Sequence, residues 1–419
     1  MTLRVATVIT RMTAGAGGVA LRGALGLSAD DYEVTFFAGA AGADSPISGR
    51  AGRNEEVEVR RGADAVAALA DGDLLGDAYK AGMEVVQIPA LVPQLSLRND
   101  LAARGTLTRL LAEGRFDVVH THSAKAGTIG RVAAARSAVP RIVHTFHGFP
   151  FHEFQPAWRR AGYVAIERRM SRYTDAFLAV GTAVATEALR LRLATPDRIR
   201  AISPAVAPVL PAAGEVRARA RETLDLPMDA SVMGNVGRVA YQKAPEHFVE
   251  ALAAQREDVW GIWIGGGPDL ERMRELAERR GVANRMRWLG HRDDVADLLP
   301  AFDVFVMPSR YEGLPCALVE AIGAGIPVVA SAVNAVPEMI SPGQTGLLVV
   351  PQQPQQVADA VRYVLDHPEQ AQRMTAAARE RLDARFTAEH LGEVLVETYR
   401  GPSRRPLPRR RRPTPIRRP

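Results

Sequence analysis

Residues 303–331, DVFVMPSRYEGLPCALVEAIGAGIPVVAS, decide the fold. DVFVMP is a short continuous apolar run, the mark of a strand buried on both faces. Pro315 suits the first turn of a helix, so the helix follows directly and Glu312 stays on the loop. Gly323-Ala324-Gly325 ends that helix, and PVVA begins another strand. Strand, loop, helix, turn and strand make one unit of a parallel sheet covered by helices on both faces. Glu312 and Glu320 bracket seven residues of this unit. One carboxylate lies on the loop after a strand, and the other lies more than a turn into the helix.

Working outward, the same alternation fills the chain. In the first half, strands are expected at 4–10, 33–38, 84–89, 117–121, 141–145, 176–180 and 200–202. Helices are expected between them at 99–113, 125–137, 157–173 and 182–193. The rhythm breaks at ISPAVAPVLPAAGE, 202–215, which is rich in proline and alanine. A second series then follows, with strands at 231–236, 259–264, 286–289, 303–307, 327–330 and 347–350. Its helices fall at 245–255, 270–280, 317–322, 354–365 and 369–385. The expected fold class is therefore α/β, with two doubly wound, Rossmann-like domains facing a cleft. The first spans 1–203, a linker spans 204–214, and the second spans 215–385. A closing helix at 386–400 packs back on the first domain, and an arginine-proline tail spans 401–419.

Composition sets limits. A chain of 419 residues, 47% hydrophobic, exceeds one ordinary core. No run of about 18 apolar residues is present, so no membrane span is expected. MTLRVATVITRM reads as a first strand and not as a signal peptide. Cys316 is the one cysteine, which leaves no internal disulfide and fits a reducing compartment. The formal charge of +6 misleads, because GPSRRPLPRRRRPTPIRRP at the end carries eight arginines and no acid; without them the body stands at −2. Such a tail buries almost nothing and is expected to be disordered. It reads as a solvated extension, or as a contact for anionic lipid or nucleic acid.

In doubly wound sheets, ligands bind beyond the carboxyl ends of the strands, so the loops there carry the candidates. TAGAGGVALRGAL follows the first strand, and Gly17 and Gly18 let backbone N–H groups approach a donor anion at a helix start. HTFHGFPFHEF holds His144, His147 and His152. His144 falls within a strand, and His147 at its end is the candidate for a sugar hydroxyl. GRVAYQKAPE places Arg238 and Lys243 on one loop before a helix, a pair suited to a diphosphate. GGGPDLE adds Gly267 in another strand-to-helix turn. Glu312 and Glu320 can then accept sugar and ribose hydroxyls, with backbone N–H groups of 313–316 meeting the phosphates.

Together GRVAYQK, EGLPCALVE, HTHSAKAG and HTFHGFPF resemble the retaining GT-B glycosyltransferases of the large family 4. The likeness covers roughly 3–399. It implies a sugar-nucleotide donor on the second domain, a hydroxyl acceptor on the first, retention at the anomeric carbon, and no metal or other cofactor. By position it implies catalytic roles for His147, Glu312, Arg238 and Lys243. It implies donor contacts from Gly17, Gly18, Arg238, Lys243, Gly267, Glu312, Gly313, Leu314 and Glu320. His122 and Lys125 are the acceptor candidates. Two departures stand out: Pro204-Ala205-Val206-Ala207 where the family often reads Asn-Gly-Val-Asp, and Ala244 where glycine usually follows the lysine.

The expected activity is sugar transfer from a nucleoside diphosphate sugar, a UDP-sugar by family frequency, to a glycan, lipid-linked or small-molecule hydroxyl. Alternatives are a sugar-nucleotide epimerase of the same architecture, or non-catalytic binding of an anionic surface through the tail. Asp71-Gly72-Asp73 has the spacing of a metal-dependent transferase but follows an alanine-rich, helix-like run. The arginines of AWRRAGYVAIERRMSRYTD read as a solvated helix face or as a contact with anionic membrane. A cytoplasmic protein, peripheral at the inner membrane face and with no specific nucleic-acid partner, is the expectation. The segment 44–94 is expected to shape the acceptor site, and its composition names no ligand.

Overall fold

A computed structural model describes residues 2–39, 59–67, 69, 73–152, 155–207, 209, 211–212, 214–227 and 229–402. Asp71-Gly72, most of the acceptor-shaping segment's first half and the tail from 403 lie outside them.

Two sheets carry the described residues. The first contains β1 (Leu3–Ile9), β2 (Tyr32–Ala38), β3 (Arg60–Arg61), β4 (Glu84–Gln87), β5 (Val118–His122), β6 (Arg141–Phe146), β7 (Ala176–Val180) and β8 (Ile199–Ile202). Their order is β3-β4-β2-β1-β5-β6-β7-β8. The second contains β9 (Ser231–Val236), β10 (Val259–Ile264), β11 (Met286–Trp288), β12 (Val304–Met307), β13 (Val328–Ser331) and β14 (Leu347–Val349), in the order β11-β10-β9-β12-β13-β14. Strand direction is parallel throughout except at β3, which pairs antiparallel to β4. The wholly parallel expectation is corrected there. Two arginines carry no apolar period, so nothing in the sequence marks that edge. The expected helix at 369–385 is also shorter, ending at Glu380 before a separate turn at Ala384–Phe386.

Both sheets reverse their strand order at one point, between β1 and β5 and between β9 and β12. The loops after such neighbours diverge and leave a crevice. The helices between and after the strands include α1 (Ala14–Leu25), α2 (Leu97–Gly114), α3 (Ala124–Arg136), α4 (Ala157–Ser171), α5 (Thr182–Arg190), α6 (Cys316–Gly323) and α7 (Ala388–Arg400).

Helix α7 follows the second sheet and returns to lie along α1. Gly23 faces Leu391 and Leu395, and a side chain at Gly392 would collide with the carbonyl of Gly26. Glycine at these positions lets the two helix backbones meet. Arg141 donates to the Thr398 carbonyl, and Tyr399 is buried beneath α1. The linker is anchored as well. Ala205 is fully buried, the Val206 N–H donates to the Phe386 carbonyl, and the Ala212 N–H to that of Ala324.

Candidate active site

Lys243 and Glu312 meet because β9 and β12 are neighbours. The loop after each strand ends at the same crevice, and the Lys243 ammonium lies 2.7 Å from Glu312 Oε1. Gln242, the residue before the lysine, donates to the other carboxylate oxygen at 3.2 Å. The Glu312 N–H donates to Asn334 Oδ1 at 2.8 Å. Glu312 is buried, so this carboxylate is both neutralised and held in one orientation. The loop bearing Lys243 is braced from behind. Buried Arg310 pairs with Glu246, donates to the Tyr241 carbonyl and stacks over the Tyr241 ring at 4.1 Å.

Arg238 lies on the same loop and is exposed. Gly267 belongs to the turn after β10. A Cβ there would strike the Val239 carbonyl, and the Val239 N–H already donates to Gly266. Glycine is therefore required for the loops after β9 and β10 to clasp each other.

Residues 313–316 face the first domain. A Cβ on Gly313 would collide with the carbonyl oxygen of His147, with the Val180 carbonyl at 3.7 Å. Leu314 is buried beside Gly181, whose φ of +98 favours glycine. Helix α6 begins at Cys316, with Pro315 in extended geometry as its cap. The Cys316 thiol, which burial pushes up to about 12, points at the Gly15 carbonyl 3.9 Å away. The glycines expected as a turn before the helix instead lie within α1, whose first turn packs against the start of α6. Gly17 packs on the Met12 backbone, with a Cβ position 2.7 Å from the Met12 carbonyl carbon. Gly18 leaves room for the Arg22 side chain one turn on.

Arg22 reaches across the cleft to Glu320, with 3.6 Å between guanidinium and carboxylate, and also donates to the Ala205 carbonyl. Burial raises the Glu320 pKa, and Arg22 opposes that rise. A further connection joins Glu338 to α5, where Thr182 and Ala183 donate their N–H groups at 2.8 and 2.6 Å. A carboxylate at a helix N-terminus is favourable for both partners.

His147 sits just past β6, with its backbone carbonyl against Gly313. His144 lies inside β6 on the other face, bonded to Thr121 at 2.9 Å. His122 is buried, with Nδ1 2.9 Å from His147 Nε2. Lys125 is taken up by Asp100 at 2.7 Å and by the Gln94 carbonyl. The expected acceptor pair is thus separated: one residue is an inner neighbour of His147, and the other ties α3 to α2. Burial holds His147 near 4 and His120 near 3, and lowers His122 and His144 as well, so these imidazoles are neutral at pH 7. Among the described residues, no three His, Cys, Asp or Glu side chains form a group able to hold a metal ion.

Sequence reading missed Gln242, Asn334, Arg22 and Glu338. Arg22 had a signal, since it stands four residues after Gly18 on one helix face. The other three depend on which loops the sheets bring together.

The two sheets match separate families. Residues 13–209 match Glycosyltransferase Family 4, and 216–381 match Glycosyl transferases group 1. The chain belongs to the group 1, family 4 glycosyltransferases. An Escherichia coli relative, UDP-Gal:alpha-D-GlcNAc-diphosphoundecaprenol alpha-1,3-galactosyltransferase, is 31% identical over 276 residues, covering 62% of this chain and 68% of that protein. The D-inositol 3-phosphate glycosyltransferase of Xylanimonas cellulosilytica is 30% identical over 350 residues, covering 76% and 82%. In fold, this family 4 chain is similar to Anabaena HepE in complex with UDP-glucose, with a TM-score of 0.74 at 18% identity over 94% of this chain and 99% of that one. It shares with that structure the GT-B arrangement of two Rossmann-like domains. The name of the E. coli relative states that its donor is the nucleotide sugar UDP-Gal.

Proposed function

We propose that this glycosyltransferase moves a sugar from a uridine diphosphate sugar to a hydroxyl of a glycan or lipid-linked acceptor, with retention and without a metal. The observation that carries this reading is the pairing of Lys243 and Gln242 with Glu312 on the second domain, next to Gly313, which abuts the backbone carbonyl of His147 on the first. A donor bridging that gap has its diphosphate beside Arg238 and Lys243 and its sugar between Glu312 and His147. Uridine as the base is supported by the E. coli relative's UDP-Gal and by the UDP complexes of HepE.

As the bond to the diphosphate loosens, negative charge grows on the phosphate oxygens. Fixed cations beside them stabilise that state more than the ground state. Lys243 rests on Glu312 and still has N–H groups to offer a phosphate. Glu312 remains an acceptor for sugar hydroxyls, with Gln242 and Asn334 holding it in place. Glu320 lies further along α6 at the position for a ribose diol, and Arg22 of the first domain shares that carboxylate.

The test is to screen UDP-glucose, UDP-galactose, UDP-N-acetylglucosamine and GDP-mannose for hydrolysis, with and without EDTA. Retention is read from the first-formed anomer by NMR. A β anomer from an α-linked donor, or activity abolished by EDTA and restored by manganese, would defeat the proposal. Conversion of one UDP-sugar into another with no acceptor would establish an epimerase instead.

A lipid-linked acceptor is favoured by the exposed faces of two helices. The segment before α2 and the start of α2 expose Leu95 (81%), Leu97 (78%) and Leu101, while α4 exposes Trp158 (77%) and Ile166. Arg98, Arg159, Arg168, Arg169 and Arg172 are exposed beside them. Apolar side chains ringed by cations suit the interface of an anionic bilayer. Among the described residues, no helix is long and apolar enough to cross a membrane. Cosedimentation with phosphatidylglycerol vesicles, lost in a Leu95→Ser/Leu97→Ser/Trp158→Ser variant, is the expected result. Equal binding by that variant would refute this surface.

A further inference from the structure

The imidazoles on β5 and β6 are arranged by strand register. His122 pairs with Thr145, and His120 pairs with Val143. Side chains alternate along a strand, so His120, His122, Thr145 and the position of His147 share one face of the sheet. His144 and Thr121 share the other. On the first face a continuous buried polar array results. Tyr399, carried in by α7, lies 2.7 Å from His120 Nδ1. The other nitrogen of His120 lies 2.6 Å from Thr145 Oγ1. The rings of His120 and His122 are in contact, with centroids 4.2 Å apart. His122 Nδ1 then meets His147 Nε2 at 2.9 Å.

This array leaves His147 little freedom. A neutral imidazole carries one proton on two nitrogens, and which nitrogen holds it is set by the bond the other makes. Two facing nitrogens make a hydrogen bond only when one of them carries the proton. The His122–His147 contact therefore couples the two tautomers. With Nε2 occupied, Nδ1 is the His147 nitrogen left for a substrate, to which it is a donor only or an acceptor only. Both rings are neutral, since burial lowers each pKa.

We propose that His122 is a positioning residue, which fixes the ring plane and the single tautomer of His147 through the Nδ1–Nε2 hydrogen bond. The array behind it, ending in Tyr399, holds His122 itself in place. This rests on the reading of His147 as the first domain's contact with the donor sugar. It replaces the expectation that His122 binds the acceptor. A site group that must meet one hydroxyl at one angle gains from such support, because a rotated or mixed population of rings meets the substrate only part of the time.

The test uses two variants of the full chain. His122→Phe keeps a ring against His120 and removes the nitrogen. His122→Asn places an amide near the former Nδ1 and can restore a bond to His147. Two readouts are needed. The first is the 15N shifts of the His147 ring, which separate a single neutral tautomer from an averaged mixture. The second is hydrolysis of UDP-galactose or UDP-glucose, together with UDP affinity.

The expected result is one tautomer for His147 in the wild type, an averaged pattern in His122→Phe, and recovery in His122→Asn. Turnover should fall roughly tenfold in the Phe variant, the scale for losing an outer partner that orients a site imidazole. KM for the donor and UDP affinity should hold steady, and Asn should recover most of the rate. A merely structural role would lower the yield or the melting temperature without changing the His147 tautomer. Unchanged His147 shifts in a folded His122→Phe protein, or an averaged pattern already in the wild type, would overturn the proposal. Normal turnover in His147→Ala would overturn the donor reading itself. Loss of turnover there, with His122→Phe unaffected, would overturn the positioning role alone.

Discussion

Gly313→Ala adds a single methyl group at the point where the two domains touch. The new Cβ would collide with the His147 carbonyl oxygen and approach the Val180 carbonyl, both backbone atoms of the first domain. No flexible side chain is available to turn aside, so the strain must be relieved by separating the domains. Overpacking by a methyl group costs about 1–3 kcal/mol. Here the cost falls on domain closure and not on either core, because Gly313 is on a loop and its clash partners lie across the cleft. That free energy lowers the closed population, relative to the open one, by roughly 5- to 150-fold. Turnover should fall within that range, since His147 and Glu312 act together only when the domains are closed. The melting temperature should move by no more than about 2 °C, as neither sheet loses a contact of its own. UDP affinity should hold, because Lys243 and Arg238 lie on the second domain. Donor hydrolysis, calorimetry with UDP and solution scattering check all three expectations. Wild-type turnover with an unchanged scattering radius would refute the reasoning, and so would a large drop in melting temperature.

Lys243→Ala should weaken UDP binding roughly tenfold to a hundredfold, the value of a charge-assisted hydrogen bond, and should also destabilise the fold by leaving Glu312 buried without its cation. Adding Glu312→Gln should restore thermal stability but not affinity, so recovery of both would refute the assignment. Glu338→Ala removes the carboxylate from the two α5 N–H groups and should lower stability by about 1 kcal/mol, the usual worth of a cap, while widening the scattering profile; an unchanged profile would show that this contact does not hold the domains. The buried imidazoles also predict a pH dependence. His147 and His120 are held near 4 and 3 against an ordinary 6.5, so the unfolded chain takes up more protons as the pH falls below 6.5. Stability is complete above that value and declines toward the two lowered values, with a loss on the order of 4 kcal/mol for the pair by pH 5. A melting temperature that is flat from pH 7.5 to 5 would contradict burial of these rings.

Much of the architecture was legible in the chain. The strands at Ala176–Val180, Ser231–Val236 and Val259–Ile264 have the bounds that their apolar runs imply. Such strands are buried on both faces and bounded by polar or glycine residues, so the signal is local. Arg60–Arg61 is a strand only because β4 lies beside it, and no local property announces that. Loop positions of Lys243 and Glu312 were likewise legible, because both follow strands directly.

What each site residue touches was decided by tertiary structure. Lys243 and Glu312 are 69 residues apart and meet because β9 and β12 are adjacent in the sheet. Gly313 reads from sequence as a backbone donor for phosphate, yet its missing side chain also admits the His147 carbonyl from the other domain. Gly17 and Gly18 read as a ligand cradle, while in the fold one packs on Met12 and the other gives passage to Arg22. His122 reads as an acceptor candidate just past a strand, and the register of β5 with β6 sets it against His147. A sequence reports the period of burial and the residue types that suit turns, because both act over a few positions. Which carboxylate meets which cation, and which glycine lies under which carbonyl, depends on strand order and on the closing of two domains. Those are set by the sum of many weak packing contacts far apart in the chain, and no short stretch encodes them.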